Sequence, residues 1–177
     1  MRAIVDTNVI LAANRDHKDV SEECIEACVL SLNQIKTAGS IIIDDQYLIL
    51  EEYQHKTRAN SPKGVGDVFL KWLLQNRANP SKVSEVPVTP IDTDWFKEFP
   101  DDQLQSQFDP PDRKFVAVAG ADKGRAPILQ AADSKWLDWW ATLEQHGIRV
   151  KFLCPDDLCR FYDKKFPGKE RPELPLP

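Results

Sequence analysis

The sequence predicts an α/β fold built on a parallel sheet, and three features carry that expectation. Short apolar runs, Ala3-Ile4-Val5, Ile41-Ile42-Ile43 and, broken only by Gln130, residues 127–132, have the composition of strands buried on both faces. Between them lie stretches of helical periodicity, such as Cys24, Ile25, Cys28, Val29, Leu32 and Ile35. Each apolar run also stops at an acid: Asp6 after the first, Asp44-Asp45 after the second, Asp133 after the later one. Strands alternating with helices pair in parallel, because the helix supplies the crossover that parallel neighbours need.

The first strand delivers Asp6 to a sheet edge, with Thr7 and Asn8 following. Ligands of open α/β sheets sit beyond the carboxyl ends of the strands, although Asp and Asn are also ordinary turn and cap residues. Asp19 with Glu22 has capping-box spacing, and the helix it opens is expected to end near Gly39. Its apolar stripe includes Cys24 and Cys28. Asp44-Asp45 suits either the cap of the next helix or the same edge as Asp6. That helix is expected over residues 46–58. Glu52 lies one turn after Leu48 and near the apolar face, while Glu51 points more toward Tyr47 and Leu48; periodicity leaves both open.

Residues 60–66 form a loop, and Val68, Phe69, Trp72 and Leu73 mark another amphipathic helix that ends by Asn79-Pro80. Residues 83–88 alternate as a short strand, placed at an edge by Pro87. Asp92 and Asp94 suit the cap of a helix through Trp95, Phe96 and Phe99, and Asp101-Asp102 a turn or a further cap. Asp109-Pro110-Pro111-Asp112 reads as a helix start leading into residues 115–119. The alternate valines there also suit a strand, but two prolines and the alanines favour the helix. After a turn at Lys123-Gly124-Arg125 come the strand at 127–132, a helix carrying Trp136, Leu137, Trp140 and Leu143, a strand at 148–153 and a helix over 155–162. One domain over residues 1–162 and an extended tail over 163–177 is the expected organisation, since residues 167–177 hold four prolines and four charges.

No apolar run approaches the roughly 20 residues a membrane helix needs, and no basic region followed by a long apolar one opens the chain; no membrane association and a cytoplasmic location are therefore expected. Cys24, Cys28, Cys154 and Cys159 lack the spacing of zinc knuckles and are expected to be buried, reduced thiols. His17, His55 and His146 are scattered, which argues against a histidine zinc site. Net charge is −5, unsuited to coating nucleic acid with the whole surface. The charge is nevertheless segregated. Residues 54–82 carry Lys56, Arg58, Lys63, Lys71, Arg77 and Lys82 against the single acid Asp67, and residues 85–112 carry eight acids against Lys97. Two differently charged solvated faces would suffice to explain that contrast.

Collected, the acids are Asp6, Glu51 or Glu52, Asp112 and Asp133. Carboxylates brought together repel, so a fold that gathers them calls for divalent cations, and oxygen donors favour hard Mg²⁺ or Mn²⁺. Val5-Asp6-Thr7-Asn8-Val9, Ile49-Leu50-Glu51-Glu52-Tyr53, residues 112–119 and Ala132-Asp133 resemble, in order, the motifs of the PIN-domain family over about residues 1–160. The resemblance implies a three-layer α/β/α domain with a central parallel sheet of order 3-2-1-4-5. It implies a metal-dependent endoribonuclease, frequently the toxin of a toxin-antitoxin pair, so that RNA, an antitoxin protein and a second copy in a homodimer are the expected partners. Carried over, Asp6, Glu52, Asp112 and Asp133 are the metal-holding and catalytic acids, Asn8 orients Asp6, and Glu52 is chosen over Glu51 because it directly precedes Tyr53. One departure stands out: Lys135 occupies the place of a further acid, for which Asp138 is the nearest substitute.

The expected chemistry is phosphodiester hydrolysis, with the acids holding one or two Mg²⁺ or Mn²⁺ ions that lower the pKa of a bound water. Lys56, Arg58 and Lys63, which follow the Glu52 helix, are expected to contact RNA phosphates. The alternatives are a PIN-like binding module that has lost cleavage, motivated by Lys135, and a small-molecule phosphatase, which fits less well because Asn8 stands where a second acid would be.

Overall fold

The computed structural model describes residues 1–175. Strand β1 (Arg2–Val5) leads directly into helix α1 (Thr7–Ala13), which the sequence reading had not separated from the turn after Asp6. Helix α2 (Glu22–Ala38) starts later than the proposed capping box: Ser21, not Asp19, caps it by accepting the Cys24 N–H at 3.2 Å. Asp19 instead takes a left-handed turn conformation with φ 66°. Then come β2 (Ser40–Asp44), α3 (Leu48–Lys56), α4 (Val65–Asn76) and β3 (Val83–Val86). Asp44 does act as a cap, its two carboxylate oxygens accepting the N–H groups of Leu48 and Ile49 at 2.7 and 2.9 Å.

The segment after β3 departs from expectation. Residues 90–96 form an antiparallel hairpin, β4 (Pro90–Asp92) and β5 (Trp95–Phe96), rather than a helix. Two local causes are visible: Asp94 occupies the left-handed region at φ 51°, which turns the chain back, and Gln105 bonds both backbone groups of Phe96. Gln105 comes from the short helix α5 (Asp102–Gln107), capped by Asp101. A 3-10 turn (Pro110–Asp112) then opens α6 (Arg113–Ala121), where Gly120 is required because any Cβ would lie 2.1 Å from the Glu98 carbonyl. Strand β6 (Ile128–Gln130), a 3-10 turn (Ser134–Asp138), α7 (Trp140–Gln145), β7 (Val150–Phe152) and α8 (Pro155–Lys165) complete the described chain.

Five strands form one parallel sheet of order β3-β2-β1-β6-β7, flanked by helices. The β4–β5 hairpin lies outside it as a separate pair. Ala3, Ile4, Val5, Ile41, Ile42, Ile43, Ile128 and Leu129 are fully buried, as continuous apolar strands require when both sheet faces are covered. Pairing of Val5 with Leu129 sets the ends of β1 and β6 side by side, so Asp6 and Asp133 leave the sheet at one edge. Among the described residues no helix is long and apolar enough to cross a membrane.

The C-terminal region corrects two expectations. Helix α8 continues to Lys165, so residues 163–165 belong to a helix rather than to an extended tail; Lys169 and Arg171 beyond it pair with Asp138 and Asp163, and the Glu173 carbonyl accepts the Trp140 indole N–H at 3.0 Å. Residues 176–177 of the expected tail lie outside the described residues. Cys24 and Cys154 are not reduced thiols. They form a disulfide, with Cα atoms 4.9 Å apart, that ties α2 to the start of α8. Cys28 keeps a free thiol, pushed up to about 12 by burial.

The disulfide spans 130 residues of sequence, and chain-entropy arguments assign such a closure at most about 5 kcal/mol. Cys154→Ser is expected to lower the free energy of unfolding by about 2–4 kcal/mol, read by urea denaturation of the oxidised wild type and the variant. Superimposable curves would show that the bond contributes nothing.

Candidate functional site

Strand β1 is paired on both sides, and Asp6 is the first residue beyond it. Its N–H continues the ladder by donating to the Leu129 carbonyl at 2.9 Å, while its Oδ1 caps α1 by accepting the Asn8 N–H at 2.8 Å. Sheet and helix together fix the carboxylate, which is only 2% exposed. The bond that Asn8 makes to Asp6 comes from its main chain rather than from its side chain.

Helix α3 packs on α1 and brings Glu52 to Thr7, whose hydroxyl donates to Glu52 Oε1 at 2.5 Å. The other oxygen, Oε2, is ion-paired with Lys114 Nζ at 2.5 Å. Glu51 is exposed on the same helix, so the structure places Glu52 inward and Glu51 outward. The adjoining Tyr53 is fully buried and donates its hydroxyl to the Val5 carbonyl, which pins α3 to the end of β1. Burial, followed by the charges of Asp6, Glu52 and Asp44, holds that phenol well above its ordinary value.

Asp112 closes the 3-10 turn before α6, where Pro110 and Pro111 begin a helical turn with φ already set. Its Oδ2 accepts the Trp136 indole N–H at 3.2 Å. Asp133 caps the 3-10 turn after β6 through Oδ1, which accepts the Lys135 N–H at 3.1 Å. Asp6, Asp112 and Asp133 therefore share a design: one oxygen is held by a fixed N–H donor, and the other accepts no hydrogen bond from the described residues.

The acids feel one another. Burial first, then the charges of Asp112, Asp133 and Glu52, outweigh the Asn8 hydrogen bond and raise the Asp6 carboxyl well above its ordinary value. Burial, then Asp133, lifts Asp112 to about 7 despite the Trp136 hydrogen bond and the Lys114 charge. The rim is nonetheless open: among the described residues no three carboxylates bring one oxygen each within 4.8 Å of one another.

Two lysines within the rim carry roles that the sequence reading did not give them. Lys114 is 7% exposed, and besides Glu52 its ammonium reaches the Pro111 carbonyl. A charge inside the helical run Arg113-Lys114-Phe115-Val116 was the available signal, because a buried lysine requires a partner. Lys135, noted only as a missing acid, forms an ion pair with Asp109, and that carboxylate raises the lysine above its ordinary value. Asp138 is not placed with the other acids: its Oδ1 accepts from the Tyr162 hydroxyl at 2.6 Å and from Lys169 Nζ at 2.8 Å.

Lys56, Arg58 and Lys63 line a pocket of about 210 Å³ with Asn14, Thr57 and Asp67, at the far end of α1 from Asp6. Asp67 organises that loop. Burial raises its carboxyl, but hydrogen bonds from Lys63, Arg58, Asn14 and Gly64 together outweigh burial and hold it below the ordinary value. Lys56 lies one helical turn after Glu52, so the basic pocket and the acidic rim share one flank of α3.

The oxygen-only donor set of Asp6, Asp112 and Asp133 suits a hard divalent ion, and the raised pKa values of Asp6 and Asp112 are the mark of negative charge that such an ion would neutralise. Glu52 is already neutralised by Lys114. In metal-free buffer the Asp112 carboxyl titrates near 7 in the folded chain against an ordinary 3.8, so between those values the folded state holds a proton that the unfolded chain has lost. Its contribution to stability is therefore present at low pH and lost as pH rises through about 7. Asp112→Asn is expected to stabilise the metal-free protein on the order of 1–3 kcal/mol at pH 8, with the gain shrinking toward pH 4, measured as melting temperature against pH. A gain of equal size at every pH would show that Asp112 does not titrate in this way.

Compared with known proteins, the chain matches no family model, no curated protein and no solved structure.

Proposed function

We propose that this chain is a Mg²⁺- or Mn²⁺-dependent ribonuclease of PIN-like architecture that hydrolyses RNA phosphodiester bonds. The observation that carries the proposal is the gathering of Asp6, Glu52, Asp112 and Asp133, from four separate segments, around the carboxyl ends of β1 and β6. A turn residue or a helix cap accounts for any one of them. It does not account for four acids brought so close that burial and the neighbouring charges hold Asp6 and Asp112 back from ionising, an arrangement that costs stability and is found at sites of chemistry.

Asp6, Asp112 and Asp133 would hold the ion through the oxygens left free by Asn8, Trp136 and Lys135. When bound, the ion supplies an activated water and stabilises charge developing on the phosphoryl group. The chain's own residues provide the frame. Thr7 and Lys114 fix both oxygens of Glu52, making it the anchor that keeps the Lys114 ammonium in the rim, where it faces an incoming phosphate. Lys135 balances Asp109 and stands where a further acid would hold a second ion, which favours a single-ion site. Lys56, Arg58 and Lys63 would grip phosphates of the same strand beside the rim.

The same two lysines favour a second reading, a PIN-like module that binds RNA or a protein partner such as an antitoxin without cleaving. Internal ammonium groups already neutralise part of the charge that a metal would otherwise be needed for.

Incubation of mixed RNAs with Mn²⁺ distinguishes the two. The wild type is expected to cleave, and Asp6→Asn to lose about 100-fold or more of the rate while keeping its fold, because asparagine also caps a helix. Equal rates in the two proteins would remove Asp6 from catalysis; no cleavage by either, with RNA still bound, would select the binding module. Replacing Lys56, Arg58 and Lys63 together by Gln is expected to weaken RNA binding and reduce the slope of log affinity against log salt by about 2–3. An unchanged slope would place the RNA elsewhere.

A further inference from the structure

Three of the four cysteines meet far from the acidic rim in their chemistry and in the elements that carry them. Cys24 and Cys28 are one turn apart on α2, so both face the same way. Cys154 arrives from the segment between β7 and α8. The three sulfurs lie within 4.8 Å of one another, the Cys28 sulfur 3.8 Å from that of Cys154, and all three residues are at most 4% exposed. Among the described residues this is the one group of three metal-ligating side chains drawn so close. A disulfide between two cysteines does not need the third. Cys28, at 0% exposure, places another sulfur against a bond that is already complete.

We propose that Cys24, Cys28 and Cys154 form a redox-gated site for a soft monovalent ion, Cu(I), which is closed by the Cys24–Cys154 disulfide and opens on its reduction. The donor set selects the ion. It is sulfur only, which excludes hard Mg²⁺, Mn²⁺ and Ca²⁺. Structural zinc sites are closed by four ligands, and this one has three. Asp157 does not supply a fourth, since its carboxylate is occupied by the Ser21 N–H at 2.7 Å and by Arg160 at 2.6 Å. Cu(I) accepts two or three thiolates, and a dry apolar pocket protects it from oxidation and exchange.

The gate balances without a further partner beyond a dithiol reductant. The reductant delivers two electrons and two protons to the Cys24–Cys154 bond and leaves as its own cyclic disulfide, yielding two thiols beside the existing Cys28 thiol. Each thiol that ligates Cu(I) releases its proton to solvent. Run in reverse, an external cyclic disulfide takes two electrons from the Cys24 and Cys154 thiolates and two protons from solvent and leaves as the dithiol; the two sulfurs then bond to each other, Cys28 is left alone and the ion is expelled.

The test uses the full chain, reduced with a dithiol under argon, freed of reductant and titrated against a coloured Cu(I) chelator of known affinity. The expected result is one Cu(I) withdrawn per reduced wild-type chain and none by the oxidised chain. Cys28→Ala keeps the disulfide and so the oxidised fold, and its reduced form is expected to hold Cu(I) at least 10-fold more weakly; Cys159→Ser is expected to match the wild type. Copper taken up equally by the oxidised chain, or equally by reduced Cys28→Ala, would overturn the site. So would reduced protein that leaves all Cu(I) on the chelator, or that withdraws one Zn²⁺ from a zinc indicator while leaving copper behind.

Discussion

Mutual repulsion among carboxylates at the ends of β1 and β6 is the constraint on which the rest of the site depends. Each of these acids alone would be an ordinary cap. Burial first, and then one another's charges, hold Asp6 and Asp112 protonated well above the usual carboxylate range, so the folded chain carries this rim at a cost. The surrounding structure is arranged to bear that cost. Asp6 is locked between a strand ladder and a helix start, Asp112 by an indole, Asp133 by its own turn, and Glu52 by a hydroxyl and an ammonium. No acid in the rim is free to swing away from its neighbours without abandoning a hydrogen bond.

The topology explains why the acids meet at all. Parallel strands send all their carboxyl ends to one edge, so residues far apart in the chain exit together. β1 lies at the centre of the order, with β2 and β6 as its partners, and Asp6, the residue just beyond it, is accordingly the most enclosed of the four acids. Compensation by lysine is local rather than diffuse. Lys114 and Lys135 each take one acid, while the basic pocket on α3 and α4 stays outside the rim and remains accessible to solvent. Asp67 keeps that pocket in shape by gathering three donors from the loop around it and a fourth from Asn14 at the end of α1.

The parallel sheet was legible because its strands are short, apolar on both faces and separated by helical periods; Ile41-Ile42-Ile43 needs no tertiary information to be placed. Asp6 and Asp133 were legible for a related reason, as each follows an apolar strand; helical period left Glu51 and Glu52 open, and Asp112 was marked by the two prolines before it. What escaped was set by contacts distant in sequence. Asp92 and Asp94 have cap chemistry, and it takes the left-handed turn at Asp94 together with Gln105 binding both backbone groups of Phe96 to make that stretch a hairpin. The Cys24–Cys154 bond joins residues 130 apart, with no local spacing to announce it. The role of Lys114 was hidden because helical phase shows that a side chain is buried without naming its partner.

The hairpin and α5 look detachable on a strand diagram, yet Arg113 makes them part of the foundation of α6. Its guanidinium is buried among groups of that arm: Nε donates to the Phe108 carbonyl at 3.1 Å, a terminal nitrogen to the Asp94 carbonyl at 3.2 Å, and the plane lies over Trp95. Excising the arm would strand a full positive charge in an apolar setting, one residue from Asp112, at a penalty of several kcal/mol. Gly120 tells the same story from the other end of the helix, since its missing side chain is the notch that receives Glu98. A shortened relative of this chain would therefore have to change both positions along with the loop, and the pair Arg113 and Gly120 is a fingerprint for the arm's presence.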